Sequence, residues 1–405
     1  MAKQKKEDVL IMKKRLFAVL LAGAMAFSLA ACGSKEEEKA AEAVKEAVEE
    51  VKEDAAEETE EGTVTLDNIK LGFVHVSDPS DMGYTYNHDK GTQKMKEDLG
   101  LRDDQIINKY NTPEGTECET AVRELAEAGC NIIFCTSFGH EDYMLLVAED
   151  YPDIQFCHAT GYKAASSGLD NVHNYFGRIY QARYLSGIAA GLKTETNKLG
   201  YVAAMPFAEC ISGYTAFYLG AKSVNPDVTM TVGYTNSWND PTVEAQVAQS
   251  LIDQGCDVIG QHADSTATQT TAEANGVWGV GYNSDMIAAA PNAVLTSAIW
   301  DWSIYLEYAV NCVVNGEPIA VDWCGSYEEG MVGLSPLNEN TIAEGTQEAI
   351  DAASQQLLDG YEVFSGPLYD AEGNVLVEEG DFYPESGEAS APSWDKIIDG
   401  ITILG

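Results

Sequence analysis

Aromatic and polar side chains collect in one short stretch near the start of the ordered sequence, DMGYTYNHDKG at residues 81–91. Tyr84 can present an aromatic face, and Asp81 stands three residues before it. An aromatic plate beside a carboxylate suits a flat, nitrogen-rich ring, because the ring stacks while the carboxylate accepts its N–H groups. The alternative is that Tyr84 and Tyr86 only cap the core, and this stretch alone does not decide between the two interpretations.

Comparable groups of polar and aromatic residues follow the other short apolar runs of the chain. They lie at residues 77–78, 136–138, 158–161, 236–240, 262–265, 283–285 and 300–302. In open α/β sheets, ligands bind outside the carboxyl ends of the strands. The sequence therefore predicts a binding site where these strand ends meet.

The elements that must position these residues alternate regularly. Apolar runs such as IKLGFVHV, from residue 69, alternate with helical stretches, and the scheme restarts with KLGYVAAM at residue 198. This alternation predicts parallel sheets covered on both faces, and the restart predicts two lobes. We expect an N-terminal lobe at residues 66–195 plus about 299–318, and a C-terminal lobe at 196–298 plus about 319–405. Rims that face each other make a cleft that a hinge can close.

The N-terminus has the features of a secretory signal. MKKRLFAVLLAGAMAFSLAAC places basic residues before an apolar stretch that is short for a membrane span, and it ends in LAAC. The pattern resembles a bacterial lipoprotein signal, which implies cleavage before Cys32 and lipidation of its sulfur. Acyl chains on Cys32 would hold the protein at the outer face of the cell membrane. The alternative is a secreted protein in which Cys32 is incidental.

The charge is strongly acidic and unevenly distributed. The formal net charge is −41, and much of it lies at residues 35–62. Nucleic-acid binding needs an excess of Lys and Arg, so this charge argues against a nucleic-acid partner. The acidic segment has few apolar side chains to bury, which predicts a disordered tether over residues 33–65, after a signal peptide at residues 1–32.

No catalytic or metal-binding pattern stands out in the sequence. The eight cysteines after Cys32 form no CxxC pair and no Cys/His spacing typical of zinc, so we interpret them as buried core residues. The chain has no GxSxG nucleophile motif, no local aspartate cluster and no phosphate-binding glycine motif. These observations favour a binding protein without cofactor or metal over an enzyme.

Several stretches together resemble a known family. They are DMGYTYNHDKG, CTSFGHEDYM, FCHATG, NYFGRIYQARYLSGIAAG, LGAKSVNPDV, NSWNDPTVEAQVAQSLIDQGCDVIGQHADS, GYNSDM and LTSAIWDWSIY. Their order resembles that of the basic membrane protein lipoproteins, the purine-nucleoside-receptor-like substrate-binding proteins of ABC transporters. The resemblance implies a type I periplasmic-binding-protein fold with two Rossmann-like lobes, a purine nucleoside or base as ligand, and a transporter permease as partner. We expect a monomer.

The resemblance also implies roles for individual residues. Tyr84 matches an aromatic residue that stacks on the base, and Trp238 matches the aromatic residue of the opposite lobe. Asp285 matches an acidic ligand contact, and Asp81 is the acid before the first aromatic residue.

Five further residues are candidates at the cleft wall. Gly260 and His262 lie in GQHADS, and Phe138 lies in one of the polar groups at a strand end. His158 could bind a ring nitrogen or be a structural histidine. Trp300 stands with Asp301 and Trp302 where the family resemblance leads us to expect a lysine, so a bare base such as adenine is at least as plausible as a nucleoside.

Two other functions remain open from sequence. A ligand sensor of the same fold would use the same cleft, so the sequence does not separate sensing from uptake. A nucleoside hydrolase would need acid–base groups, for which His262 beside Asp264 is a candidate, and the aspartates Asp78, Asp81, Asp240 and Asp285 could serve a metal site or such a hydrolase.

Overall fold

The structure is a computed structural model that describes residues 63–387 and 389–405. The predicted signal peptide, the lipidation site at Cys32 and the acidic segment at residues 35–62 lie outside the described residues. Residues 65–405 form one unit with two lobes, each built on a sheet. Within the described ranges, no helix is long and apolar enough to cross a membrane.

Strands and helices alternate along most of the unit. The strands, in chain order, are β1 (Leu71–Val74), β2 (Ile106–Lys109), β3 (Ile132–Cys135), β4 (Gln155–Ala159), β5 (Val172–Gly177), β6 (Lys198–Ala203), β7 (Thr229–Tyr234), β8 (Val258–His262), β9 (Trp278–Asn283), β10 (Val294–Trp300), β11 (Asp322–Gly325), β12 (Val332–Leu334), β13 (Leu368–Tyr369), β14 (Val375–Val377) and β15 (Ile401–Ile403). The α-helices are α1 (Tyr84–Leu99), α2 (Thr116–Glu127), α3 (Glu141–Ala148), α4 (Ala164–Ser167), α5 (Ile179–Lys193), α6 (Ala208–Val224), α7 (Pro241–Asp253), α8 (Ala267–Ala274), α9 (Ser303–Asn315) and α10 (Thr346–Leu358). Short 3-10 helices cover Pro79–Asp81, Asp103–Gln105 and Phe138–His140.

Each lobe has its own mainly parallel sheet. The first sheet has six strands in the order β11-β5-β4-β3-β1-β2, all parallel. The second has seven strands in the order β12-β10-β9-β8-β6-β7-β15, and its only antiparallel pair is β10 with β12. The predicted α/β class with two parallel sheets is confirmed. The inner strands of both sheets are buried, which explains the apolar runs in the sequence, whereas edge strands such as β2 and β15 are partly exposed.

The chain passes between the two sheets three times. The chain leaves the first sheet after β5. The next helix, α5, packs its buried face against Leu199 and Phe217 in the core of the second lobe. The expected boundary at residue 195 therefore falls beyond the observed crossing. The chain returns after β10, and β11 then joins the first sheet, past the expected boundary near residue 318. It crosses a third time between β11 and β12.

The helices α5 and α6 approach each other very closely. A β-carbon on Gly187 would lie 1.9 Å from the carbonyl oxygen of Phe217, and one on Gly220 would lie 1.9 Å from that of Tyr184. Glycine is therefore required at both positions for the helix backbones to touch. This contact holds α6 against α5, and the first turn of α6 carries a residue of the cleft.

Candidate functional site

A cavity lies between the lobes at the carboxyl ends of both sheets. Its empty volume, counted together with space open to solvent, is about 330 Å³. Its walls consist of Val76, Tyr84, Thr136, Ser137, Phe138 and Thr160 from the first lobe and Glu209, Trp238, His262, Asp264 and Tyr282 from the second. Four of the predicted residues thus come together here: Tyr84, Phe138, Trp238 and His262.

Tyr84 is held in place at the first turn of α1. Its hydroxyl donates a hydrogen bond to the carbonyl oxygen of Thr136 at 2.8 Å, and its ring meets the edge of the His88 ring at 4.6 Å. The carboxylate of Asp81 accepts the N–H groups of Gly83 and Thr85, each at 2.9 Å, and so fixes the start of the helix. The wall at this position is therefore rigid before a ligand arrives.

Aromatic rings from both lobes meet at the mouth of the cavity. The ring centroid of Phe138 lies 5.4 Å from that of Phe207, and Phe207 lies 6.4 Å from Trp238. Trp238 is half-buried and stands just before α7, whose start is capped by Asp240. These rings can cover the face of a flat ligand and exclude water from it.

Thr160 combines a strained backbone with an unused hydroxyl. Its φ of +67° lies in the left-handed region, which a β-branched residue rarely adopts. It is buried against the cavity, and within the described part of the chain its hydroxyl makes no hydrogen bond. Such strain persists only where surrounding structure enforces it and often marks a functional position. His158, two residues earlier, does not reach the cavity wall, because its Nε2 contacts the carbonyl oxygen of Ser137 at 2.8 Å.

Two buried acids form the polar side of the cavity. Burial raises the pKa of Glu209 to about 7, an effect that the charge of Arg183 opposes. Burial, together with the nearby charges of Asp81 and Glu244, holds the pKa of Asp264 well above its usual value. Asp264 accepts a hydrogen bond from Asn283 Nδ2 at 2.9 Å.

His262 lies beside these acids and is neutral. Its Nε2 is 3.4 Å from Glu209 Oε1, but burial and then the charge of Arg183 hold its pKa well below the usual value. The contact is therefore not an ion pair. Both ring nitrogens lack a hydrogen-bond partner among the described residues, so the imidazole can still bind a polar group.

Five predicted site residues take other positions, and His158, described above, is one of them. Gly260 faces the core, where a β-carbon would lie 2.8 Å from the Tyr201 ring. Trp300 is buried, and its Nε1 donates to Asn283 Oδ1 at 3.2 Å.

Asp81 and Asp285 also lie outside the cavity wall. Asp81 serves as the cap of α1 described above. Asp285 is exposed, and its carboxylate accepts the N–H of Ile287 at 3.0 Å. The acid that enters the cavity from this part of the second lobe is Asp264.

Glu209, Asp264, Tyr282 and Thr160 are wall residues that the sequence did not single out as ligand contacts. Each follows or ends a buried strand, so the strand-end rule pointed to their neighbourhood. Two signals were available: Asp264 stands in GQHADS beside His262, and Glu209 is an acid in the otherwise apolar start of a helix. Neither reveals which way a side chain points.

The chemistry that this arrangement supports is noncovalent binding. The cavity offers aromatic faces, two acids and a neutral imidazole. No group of three or more His, Cys, Asp or Glu side chains in the described ranges is arranged to hold a metal ion. The eight cysteines after Cys32 are unpaired, and burial raises the pKa of the Cys210 thiol, next to Glu209 in sequence, to about 12. Two lobes that enclose such a cavity define a two-lobed ligand-binding protein.

The comparison with known sequences gives the family. A sequence model of the PnrA-like ABC transporter substrate-binding proteins, the Bmp family, matches residues 68–365. The chain belongs to this family, and the predicted resemblance is confirmed.

Two relatives differ in their named ligands, and a solved structure shows the same fold. The chain is 35% identical over 322 residues to the purine-binding protein of Brucella abortus strain 2308, covering 78% of this chain and 88% of the relative. It is also 35% identical over 330 residues to a Haloferax volcanii protein provisionally named an ABC transporter glucose-binding protein, covering 81% of this chain and 82% of that one. The crystal structure of an ABC transporter solute-binding protein from Aeropyrum pernix K1 superposes with a TM-score of 0.62 at 19% identity, covering 72% of this chain and 92% of that chain, and shows the same fold.

Proposed function

We propose that this protein is the extracytoplasmic, lipid-anchored binding protein of an ABC importer and that its cleft binds a purine base or nucleoside. Family membership supports delivery of a small molecule to a permease. The LAAC sequence supports an anchor at Cys32. The protein releases its ligand unchanged, since the cavity offers stacking and hydrogen bonding without an activated nucleophile.

The observation that carries the ligand assignment is the division of the cavity wall. Tyr84 and Phe138 on one lobe and Trp238 on the other supply aromatic surface, whereas both acids of the wall, Glu209 and Asp264, come from the second lobe. A purine has two apolar faces and confines its N–H groups and ring nitrogens to its perimeter. Its faces therefore match the rings, and one edge matches the acids.

Glucose is the second candidate, because one relative carries that name. A sugar presents hydroxyl groups around its whole perimeter and would need polar partners on several sides of the cavity. In this cavity the first lobe offers hydroxyls of Thr136, Ser137 and Thr160, but Thr136 and Ser137 already bond to Val74 and Glu114. The wall therefore favours a purine.

The test is to identify what the protein binds. Small molecules released by denaturing the purified protein are identified by mass spectrometry, and the refolded protein is titrated calorimetrically with adenine, adenosine, guanosine, inosine and glucose. We expect tight binding of at least one purine and none of glucose. Tight glucose binding without purine binding would make the ligand assignment wrong. Free base formed from nucleosides in proportion to protein would indicate a hydrolase.

The anchor has a separate test. Cys32→Ala should release the protein from the membrane fraction and remove the mass of the acyl chains. A variant that stays in the membrane fraction, with no acyl mass on the wild type, would contradict the lipoprotein assignment. To separate uptake from sensing, accumulation of labelled purine is compared between wild-type cells and cells that lack the protein; unchanged accumulation would favour the sensor.

A further inference from the structure

We propose that Glu209 determines which purines bind, by accepting a ligand N–H group on an ionised carboxylate, and that Arg183 is the positioning residue that keeps this carboxylate ionised. The inference rests on the proposed function. It adds the residue that selects the ligand and the release of a proton on binding.

Glu209 is the buried acid of the cleft whose hydrogen-bonding capacity is unused. It stands in the first turn of α6, its side chain is 12% exposed, and it lines the cavity. Among the described residues, no hydrogen bond to its carboxylate is formed. The neighbouring acids are occupied: Glu244 accepts from Ser265 Oγ at 2.6 Å, and Asp264 accepts from Asn283. A carboxylate offers about four acceptor positions, so a ligand can supply the missing donors.

Arg183 is a buried cation without a bonded carboxylate. It lies on α5, 2% exposed, with its guanidinium 3.6 Å from the centroid of the Tyr282 ring. Its Nη1 donates to the hydroxyl of Tyr201 and, at 2.5 Å, to the carbonyl oxygen of Gln261. Its Nε and Nη2 have no partner in the described part of the chain. A buried charge without a counter-ion is costly, and Glu209 is the acid whose ionisation this charge favours.

His262, Tyr84 and Tyr282 lie around Glu209 and are neutral, so the negative charge of the site falls on Glu209. His262 on β8 is neutral, as shown above. The hydroxyls of Tyr84 on α1 and Tyr282 on β9 are also neutral, because burial holds the pKa of each well above its usual value.

Two further acids, Glu114 and Asp264, complete these surroundings. Glu114 of the first lobe acts across the cleft. Asp264 lies just after β8, and burial together with the charge of Asp81 holds its pKa well above the usual value. Charges on Glu209 and Asp264 oppose each other, and Asp264 already accepts a hydrogen bond from Asn283, so we assign acceptance of the ligand N–H to Glu209.

The consequence is that ligand binding releases a proton near neutral pH. Burial first, and Glu114 after it, raise the pKa of Glu209 in the ligand-free cleft to about 7, while Arg183 limits the rise. A ligand N–H bonded to the carboxylate stabilises its charged form and lowers this pKa. Affinity should therefore fall by about tenfold per pH unit below pH 7 and level off above it, as proton linkage requires.

The experiment is calorimetry of adenine binding to the full chain from pH 5.5 to 8.5, in two buffers of different protonation enthalpy. We expect the wild type to release about half a proton at pH 7. Glu209→Gln should bind adenine weakly, with an affinity that does not change with pH. The matched control Glu127→Gln, an exposed carboxyl at the end of α2, should follow the wild type. Wild-type affinity and slope in Glu209→Gln would overturn the proposal.

The role of Arg183 is tested by the pH at which the affinity profile changes slope. Arg183→Met should move the break in the pH profile upwards, since the cation no longer favours the carboxylate, and Arg183→Lys should leave it near that of the wild type. An unmoved break in a folded Arg183→Met variant would overturn the positioning role.

A failure of the proposed function can be told apart from a failure of this inference. If no purine binds at any pH, the purine assignment fails. The ionisation of Glu209 is then measured in the ligand-free protein by ¹³C NMR, as the carboxyl resonance that Glu209→Gln removes. A midpoint near pH 7 supports the charge arrangement, and a midpoint near that of an exposed glutamate overturns it.

Discussion

Gly83 of the first lobe touches Asp264 of the second so closely that a β-carbon on residue 83 would lie 1.7 Å from the Asp264 carbonyl oxygen. Next to this contact, Ser284 Oγ donates to the carbonyl oxygen of Met82 at 2.5 Å. Asn87 Nδ2 donates to the carbonyl oxygens of Asn283 and, at 3.2 Å, Trp300. The start of α1 is thus clamped against the second lobe, and the structure is that of a closed cleft.

A first prediction follows from this contact. Gly83→Ala should prevent full closure, because the new β-carbon would overlap a backbone atom that cannot move away alone. We expect ligand affinity to fall by at least about tenfold, or 1.4 kcal/mol, with little change in the melting temperature of the ligand-free protein, since an open cleft relieves the overlap. The control is Gly333→Ala, where a β-carbon meets nothing within 4 Å. Closure is followed by small-angle scattering, and a variant that still contracts on ligand addition would contradict the prediction.

Stacking on Trp238 should contribute a similar binding free energy for all purines, whatever their ring substituents. Trp238→Ala should weaken all bound purines by similar factors, on the order of 1–3 kcal/mol. Tyr162 provides a matched control, since it is 55% exposed and lies outside the cavity wall, 6.5 Å from Phe138. Tyr162→Ala should change affinity by less than about twofold, or 0.4 kcal/mol. Calorimetry with several purines is the measurement, and unequal losses in Trp238→Ala would show that the indole reads substituents.

Asp264 and Asp285 can be distinguished directly. Family resemblance implies Asp285 as a ligand contact, whereas the structure places Asp264 in the cavity wall and Asp285 at the surface. Asp264→Ala should therefore reduce affinity by at least about tenfold, and Asp285→Ala should leave it near that of the wild type. The reverse result in calorimetry would favour the residue that the family resemblance implies.

Thr160 should lower the stability of the folded protein and strengthen ligand binding. Thr160→Gly removes the strain of a β-branched residue at φ +67° and should raise the free energy of unfolding by roughly 1 kcal/mol. The same change removes the free hydroxyl and should weaken binding. Thr160→Ser keeps the hydroxyl and should bind like the wild type. Chemical denaturation and calorimetry test both effects, and a Thr160→Gly variant that is less stable and binds normally would contradict them.

Glu209 should make the ligand-free protein less stable as pH rises. Its pKa is raised from 4.5 to about 7 in the folded state, so between these values the folded protein holds a proton that the unfolded chain has lost. The contribution to stability is therefore fully present below pH 4.5 and disappears as pH approaches 7, at a cost of up to about 3 kcal/mol. Relative to Glu209→Gln, the wild type should lose this amount over that range in urea denaturation. Parallel curves for the two proteins would contradict the raised pKa.

The organisation of the chain could be predicted from sequence because it depends on local patterns. The apolar run from residue 69 became β1, and the restart at residue 198 is the first residue of β6. Asp240 before Pro241 marks the start of α7, where its carboxylate accepts the N–H groups of Thr242 and Val243 at 3.1 Å. A buried strand needs apolar residues, and a helix start needs a capping residue. Both requirements can be recognised in a few consecutive residues of the sequence.

The identity of the site residues was decided only by the tertiary structure. Asp264 and Asp285 both follow second-lobe strands, yet one enters the cavity and the other faces solvent, because each direction depends on the loop after its strand. The charge of Arg183 affects the ionisation of Glu209 only because α5 belongs to the second lobe and packs against α6 through Gly187 and Gly220. Short-range patterns fix which segments are strands and helices. The distance between side chains far apart in the chain depends on how all the buried surfaces pack together, and no local stretch of sequence contains that information.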